Sequence, residues 1–212
     1  MKITLLFILL STISIAQDGL KDEYVHDFEK VYDADTIFYY GIDFSNFGLY
    51  NPEKVGHEQI IMKFFPVWMN KVHEAYSKGQ IEMILKKEVK KNFQQVQSRY
   101  KLLRDEWIGF DKHTLETQQI QELVKDYKLK RTTGIGLVLI IENFNKEKEN
   151  ARVNYTFFDI TSREILWSIE TKGEATGAGM TNHWATAIKN SFGPFKLTYR
   201  SALRKVKKSR KK

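Results

Sequence analysis

The segment GIGLVLIIENF, Gly134 to Phe144, most constrains the fold, because apolar residues fill consecutive positions over almost its whole length. Side chains alternate between the two faces of a strand, so a run apolar at odd and even positions predicts a central strand buried on both sides. Such a strand needs cover on each face, and the chain has matching helical stripes. Ile60, Phe64, Trp68, Val72 and Tyr76 recur every four residues, with Ile61, Phe65 and Met69 beside them. Ile120, Leu123, Val124 and Tyr127 form a second stripe, and Trp184, Ile188 and Phe192 a third. Half-buried strands and one-sided helices satisfy each other in layers, which favours a layered α/β arrangement over a helical bundle.

The expected class is therefore α+β, an α/β sandwich with a mixed, mainly antiparallel sheet of about four strands at 36–46, 134–144, 152–160 and 165–174. Helices are expected at 52–78, 114–127 and 181–203. Asn51-Pro52 places a capping residue before a proline in the first turn. Pro66 predicts a kink or restart near Phe65, since proline disfavours helical geometry in the residue before it. Ile81, Leu85 and Val89 continue a helical spacing after Gly79, and Gly41 within its strand predicts a bulge or a close backbone approach. Asp111 or Thr114 is a plausible cap for the second stripe, and Gly193-Pro194 ends or bends the third. The lead-in KDEYVHDFEKVYDAD reads as exposed, with Tyr24, Phe28 and Tyr32 at a helical spacing that can lay them against the body, while NFQQVQSRYKLL, 92–103, fits helix and strand equally and leaves 92–110 open.

The first residues, MKITLLFILLSTISIAQ, run from a lysine through a short apolar stretch to a small-residue site at Ala16. That order predicts a signal peptide over 1–16, hence an exported chain, periplasmic or extracellular, folded as one domain over 17–203. The absence of cysteine excludes a lipid-bearing cysteine, disulfides and thiolate metal sites.

The net charge of +8 is a local property. Arg204, Lys205, Lys207, Lys208, Arg210, Lys211 and Lys212, together with Lys2, account for all of it, so the body is close to neutral. Residues 204–212 are expected to be a disordered basic tail able to meet anionic lipid or polysaccharide. Export argues against a nucleic-acid partner. The Arg and Lys residues of RYKLLR, Arg99 to Arg104, are only a faint nucleotide-stacking pattern.

Residue types and spacings match no familiar catalytic or metal pattern. The glycines 173, 177 and 179 lack the last glycine of a dinucleotide loop, where Asn182 stands, and a Lys-Ser/Thr pair for a P-loop. His57-Glu58 and His73-Glu74 have no second histidine at the zinc-protease spacing, and Asp33 and Asp35 begin a calcium loop that Ile37 breaks. His26, His113 and His183 are dispersed, no G-x-S-x-G occurs, and Glu164 and Glu170 are uninformative as a pair. No cofactor or metal is expected. Asp159, in YTFFDITSREILWS, reads as a turn-former at the end of a strand, accepting from backbone N–H groups two and three residues on. Trp167 on the return strand is expected in the core or across the hairpin.

The order of a central strand, a hairpin with DITSREILW at its turn, and then GEATGAG before a helix resembles small bacterial envelope domains over residues 134 to 192. These are domains similar to the curli-secretion lipoprotein and to the amino-terminal domain of TolB. The resemblance implies an α/β sandwich that binds other envelope or secreted proteins and performs no reaction. Lacking the lipid-bearing cysteine, the chain departs from the anchored members. The expected function is non-enzymatic contact with another protein or the envelope; the alternative is a secreted hydrolase built from dispersed residues such as Asp43, His57 or His183.

Overall fold

A computed structural model of the chain describes residues 23–50, 58–76, 79–102 and 114–212. Side chains of 58–62 are left aside, and the expected signal peptide, Asn51-Pro52, His57 and Asp111 lie outside the described residues. Seven strands form one mixed sheet, in the order β1 (Tyr24–Val25), β7 (Ile165–Glu174), β6 (Asn150–Asp159), β5 (Ile135–Asn145), β2 (Thr36–Asp43) and β4 (Glu88–Lys91), with β3 (Gly48–Tyr50) also paired to β5. The ladder β5-β6-β7-β1 is antiparallel, and β2, β3 and β4 join in parallel.

The α+β class holds and the four expected strands are present, but the sheet is wider than their number. The three additional strands are two to four residues long. The edge strand β4, Glu-Val-Lys-Lys, buries no residue, so it has no apolar alternation to read. Val89 belongs to it, not to a helix. Helix α3 (Gln80–Leu85) stops at Lys86, whose φ of 56° is left-handed, and the chain turns into the strand.

Among the described residues, five helices pack on one face of the sheet: α1 (Phe28–Asp33), α2 (Glu58–Tyr76), the short α3, α6 (Gly179–Asn190) and α7 (Phe192–Ser209). Their apolar stripes meet Leu137, Leu139, Ile141, Val153, Tyr155 and Phe157. The opposite face, Phe38, Tyr40, Val138, Ile140 and Phe158, lies under Val96 of α4 (Gln94–Gln97) and under α5 (Thr117–Lys125). The double burial predicted for the central strand thus holds, with Ile135 to Phe144 buried throughout. The lead-in is not wholly exposed. Phe28 packs edge-on to Trp167 at 5.1 Å and to Tyr199 at 5.8 Å.

Helix α2 runs unbroken across Pro66 instead of restarting. Phe65, Trp68, Met69 and Val72 are buried on either side, and their burial offsets the missing hydrogen bond. The expected third helix divides at Ser191, where Gly193 and Pro194 enter the first turn of α7. The cap of α5 is Glu116, whose backbone N–H donates to Gln119 Oε1 at 2.8 Å in a capping box. The segment read equally as helix or strand begins as α4 and continues as a 3-10 turn, Ser98–Leu102. Gly41, at φ 89°, marks a shift of the β2 register between Tyr39 and Ile42.

Candidate functional site

Three concentrations of charge stand out among the described residues, and the basic C terminus is the one anticipated from sequence. It is not a disordered tail: helix α7 continues to Ser209 because Phe195, Tyr199, Ala202 and Val206 extend its buried stripe. Arg204, Lys205, Lys207, Lys208, Arg210, Lys211 and Lys212 are all exposed. Arg210 is nonetheless engaged, donating to Asp33 through Nη1 at 2.6 Å and Nη2 at 2.8 Å, with Glu29 at 3.2 Å from Nη2. Its guanidinium lies 4.9 Å over the Tyr32 ring. Hydrogen bonding from Arg210 holds the Asp33 carboxyl below its ordinary range. A second cationic feature is a groove of about 480 Å³ beside β4, lined by Lys90, Lys91, Lys130 and Arg131, with Arg131 3.7 Å over Phe38.

Of the dispersed residues considered for hydrolysis, His57 lies outside the described residues, and Asp43 and His183 stand on opposite faces of the sheet. Asp43 is fully buried on the α5 side, where Oδ2 accepts from Tyr127 Oη at 2.8 Å and pairs with Arg99 Nε at 3.5 Å. Its Oδ1 accepts from Ser45 N at 2.8 Å. His183 belongs to α6 on the other face, edge-on to Trp184 at 4.9 Å. Asp159 shapes its turn: Oδ1 accepts from Thr161 N at 2.7 Å and Ser162 N at 3.1 Å. Trp167 is fully buried opposite Phe157, and its indole N–H donates to Glu23 at 2.8 Å.

The third group escaped the sequence reading. Glu142, 1% exposed, sits at the β5 bulge, where the register with β6 shifts between Ile141 and Asn143. Arg152 Nη1 lies 3.7 Å from Glu142 Oε1 and 3.4 Å from Glu170 Oε1. Asn143 and Asn154 donate to the two Glu142 oxygens at 3.2 and 3.3 Å, and Asn154 stands directly opposite Glu170. Thr156 and Ser168 share a 2.8 Å hydroxyl contact in the next row. Burial, then the neighbouring Glu170 charge, pushes the Glu142 carboxyl up to about 7, against the opposing pull of Arg152. The signal in the sequence was a lone glutamate closing an aliphatic run. Its partners come from two other strands, which the run does not name. Arg152 thus bridges the two carboxylates, and the Glu170 charge makes the Glu142 proton harder to lose. Neither carboxylate lines the groove beside β4.

No protein-family model matches the chain, and no curated protein matches it. Among solved structures it is similar to the PelC dodecamer of Paraburkholderia phytofirmans in two crystal forms. One, a point variant, has 10% identity, covers 80% of this chain and 89% of that chain, and gives a TM-score of 0.29. The other has 8% identity, coverages of 86% and 94%, and a TM-score of 0.30. Overlaps this loose carry neither fold nor function across. No helix among the described residues is long and apolar enough to cross a membrane.

Proposed function

We propose that this chain is an exported, non-enzymatic protein that works by contact with the cell envelope, meeting its anionic lipid through the solvent face of α7. The observation that carries this reading is a docked helix with a one-sided charge. Arg200, Arg204, Lys207, Lys208 and Lys211 are exposed at helical spacing, opposite the buried line through Tyr199, Ala202 and Val206. A helix rises about 1.5 Å per residue, so Arg200 to Lys208 spread over roughly 12 Å of one side, with Lys211 just beyond the helix end. Each basic residue near an anionic membrane contributes about 1 kcal/mol, and salt weakens the attraction within a Debye length of about 10 Å at 0.1 M. The near-neutral body leaves α7 to set the orientation of approach. Export, periplasmic or extracellular location, an envelope or secreted protein as a further partner, and kinship with the curli-secretion and TolB-like domains all belong to the same proposal.

Co-sedimentation of the full chain with phosphatidylglycerol vesicles tests it. Pelleting should fall with added salt and should be lost when Arg204, Lys207, Lys208 and Lys211 are together replaced by glutamine. Unchanged pelleting of that variant would remove α7 from the mechanism, and retention of Met1 on the cellular product, seen by mass spectrometry, would remove export.

A further inference from the structure

Strands β2 and β4 lie side by side and parallel, yet the chain leaves their carboxyl ends toward opposite faces of the sheet. After β2 it adds β3 to the same sheet and then reaches α2 on one face, whereas after β4 it passes to α4 and α5 on the other. A crevice opens at such a divergence, and ligands of open α/β sheets bind there. At this place the structure has a cavity of about 290 Å³, near the lower end of the range for small-molecule sites. Tyr39 of β2, Lys91 at the end of β4, Phe93 before α4, and Asn70, His73 and Tyr76 of α2 line it, with the exposed Glu74 carboxylate as the one acidic group in the lining.

The walls are aromatic and two polar groups in them are unmatched. His73 stacks on Phe93 at 4.0 Å, and Tyr39 meets Phe93 edge-on at 5.4 Å. The His73 Nε2 contacts the Gln97 side-chain amide. Gly41 makes this contact possible, because a Cβ there would stand 3.0 Å from Phe93 and 3.3 Å from Gln97. Burial, and then the Lys91 charge, lowers the His73 imidazole to about 4, so the ring is neutral at neutral pH. With Nε2 accepting from the amide, the proton resides on Nδ1. That Nδ1 and the hydroxyl of the fully buried Tyr39 have no partner in the protein. Unmatched buried donors are costly, and a cluster of them calls for an acceptor. Lys91, exposed at the rim, adds positive charge.

We propose that this crevice binds a small carboxylate with a flat apolar body, its ring against Phe93 and Tyr39 and its oxygens toward Tyr39 Oη, His73 Nδ1 and Lys91. The site uses no residue of α7 and stands apart from the proposal made for that helix. The test is an NMR titration of the full chain with sodium benzoate, and separately with benzamide, an uncharged compound of the same shape. Benzoate should give saturable shifts at Tyr39, His73, Lys91 and Phe93 with a Kd of about 1 mM or tighter. Tyr39→Phe, which keeps the ring, and Lys91→Met, at an exposed position, should each weaken it by about tenfold. Absence of saturation up to about 20 mM would overturn the proposal, since the site would then have no useful affinity. So would equal binding of benzamide, or affinity unchanged in both variants.

Discussion

Glu142 stands at the β5 bulge with Oε1 3.7 Å from Arg152 Nη1, an ion pair in which the carboxylate is almost fully buried and the arginine side chain as a whole is 23% exposed. The charged form of Glu142 is the strained one, because burial and the Glu170 charge raise its pKa from an ordinary 4.5 to about 7. A carboxylate raised in the folded state binds its proton more tightly there than in the unfolded chain. Its stabilising contribution is therefore complete below about 4.5 and is lost as pH rises through about 7. The shift corresponds to a loss on the order of 3 kcal/mol. Urea denaturation from pH 5 to 8.5 should show this fall in the wild type. Glu142→Gln, which cannot ionise, should flatten the profile and exceed the wild type at the alkaline end. Equal slopes in the two proteins would show that Glu142 does not hold the proton.

Tyr127 and Asp43 join α5 to the end of β2 by a 2.8 Å hydrogen bond that is wholly out of water. Tyr127→Phe keeps the ring beneath Arg99, which lies 5.1 Å over it, and removes only the donor. The carboxylate would retain Ser45 N and the Arg99 ion pair, so the expected cost is about 1 to 3 kcal/mol. Guanidinium denaturation measures it. A neutral result would mean that Asp43 draws its compensation from elsewhere and does not tie the two elements together.

Much of this architecture was readable, for reasons particular residues make plain. The Ile135–Asn145 strand declared its double burial because no polar side chain interrupts its first seven residues. Asp159 declared its turn because the acceptor and the two N–H groups it serves lie within three residues of one another. Elements of two to four residues did not register, since β1, β3 and β4 are too short to show a period and take their pairing from neighbours distant in sequence. The charged end of the chain misled for a related reason. A run of lysines signals solvation, whereas Val206 alone keeps the buried stripe going beneath it. Glu142 was passed over because its environment is made by Arg152, Asn154 and Glu170, ten to 28 residues away in sequence.

Gly173 is where β7 passes closest to α6. A Cβ at this position would fall inside the van der Waals surface of the Ala187 carbonyl and the Ser191 amide, both backbone atoms that cannot turn aside. Gly173→Ala should cost about 3 kcal/mol or more by forcing strand and helix apart. Gly193→Ala, with nothing within 4 Å of the added atom, should change stability by about 0.5 kcal/mol at most. Thermal unfolding of the pair separates steric crowding from the mere loss of a glycine, and similar Tm values for both variants would remove the crowding account.

Arg210 fastens the last turn of α7 to α1, and the fastening is separable from the helix beneath it. Cutting the chain after Leu203 would delete the cations, the Asp33 clamp and the buried Val206 together, so a truncation cannot say which of them mattered. Arg210→Ala leaves Val206 in place and removes the fork on Asp33, the Glu29 contact and the stacking on Tyr32. Both partners of the pair are solvent-facing, so global stability should hardly move, while amide exchange at 206–209 should quicken as the turn frays. High salt should produce the same quickening in the wild type and little further change in the variant. Vesicle pelleting should persist in Arg210→Ala, because its charge is already spent on Asp33 and Glu29. Loss of pelleting in this variant with exchange unaltered would instead assign Arg210 to the contact surface.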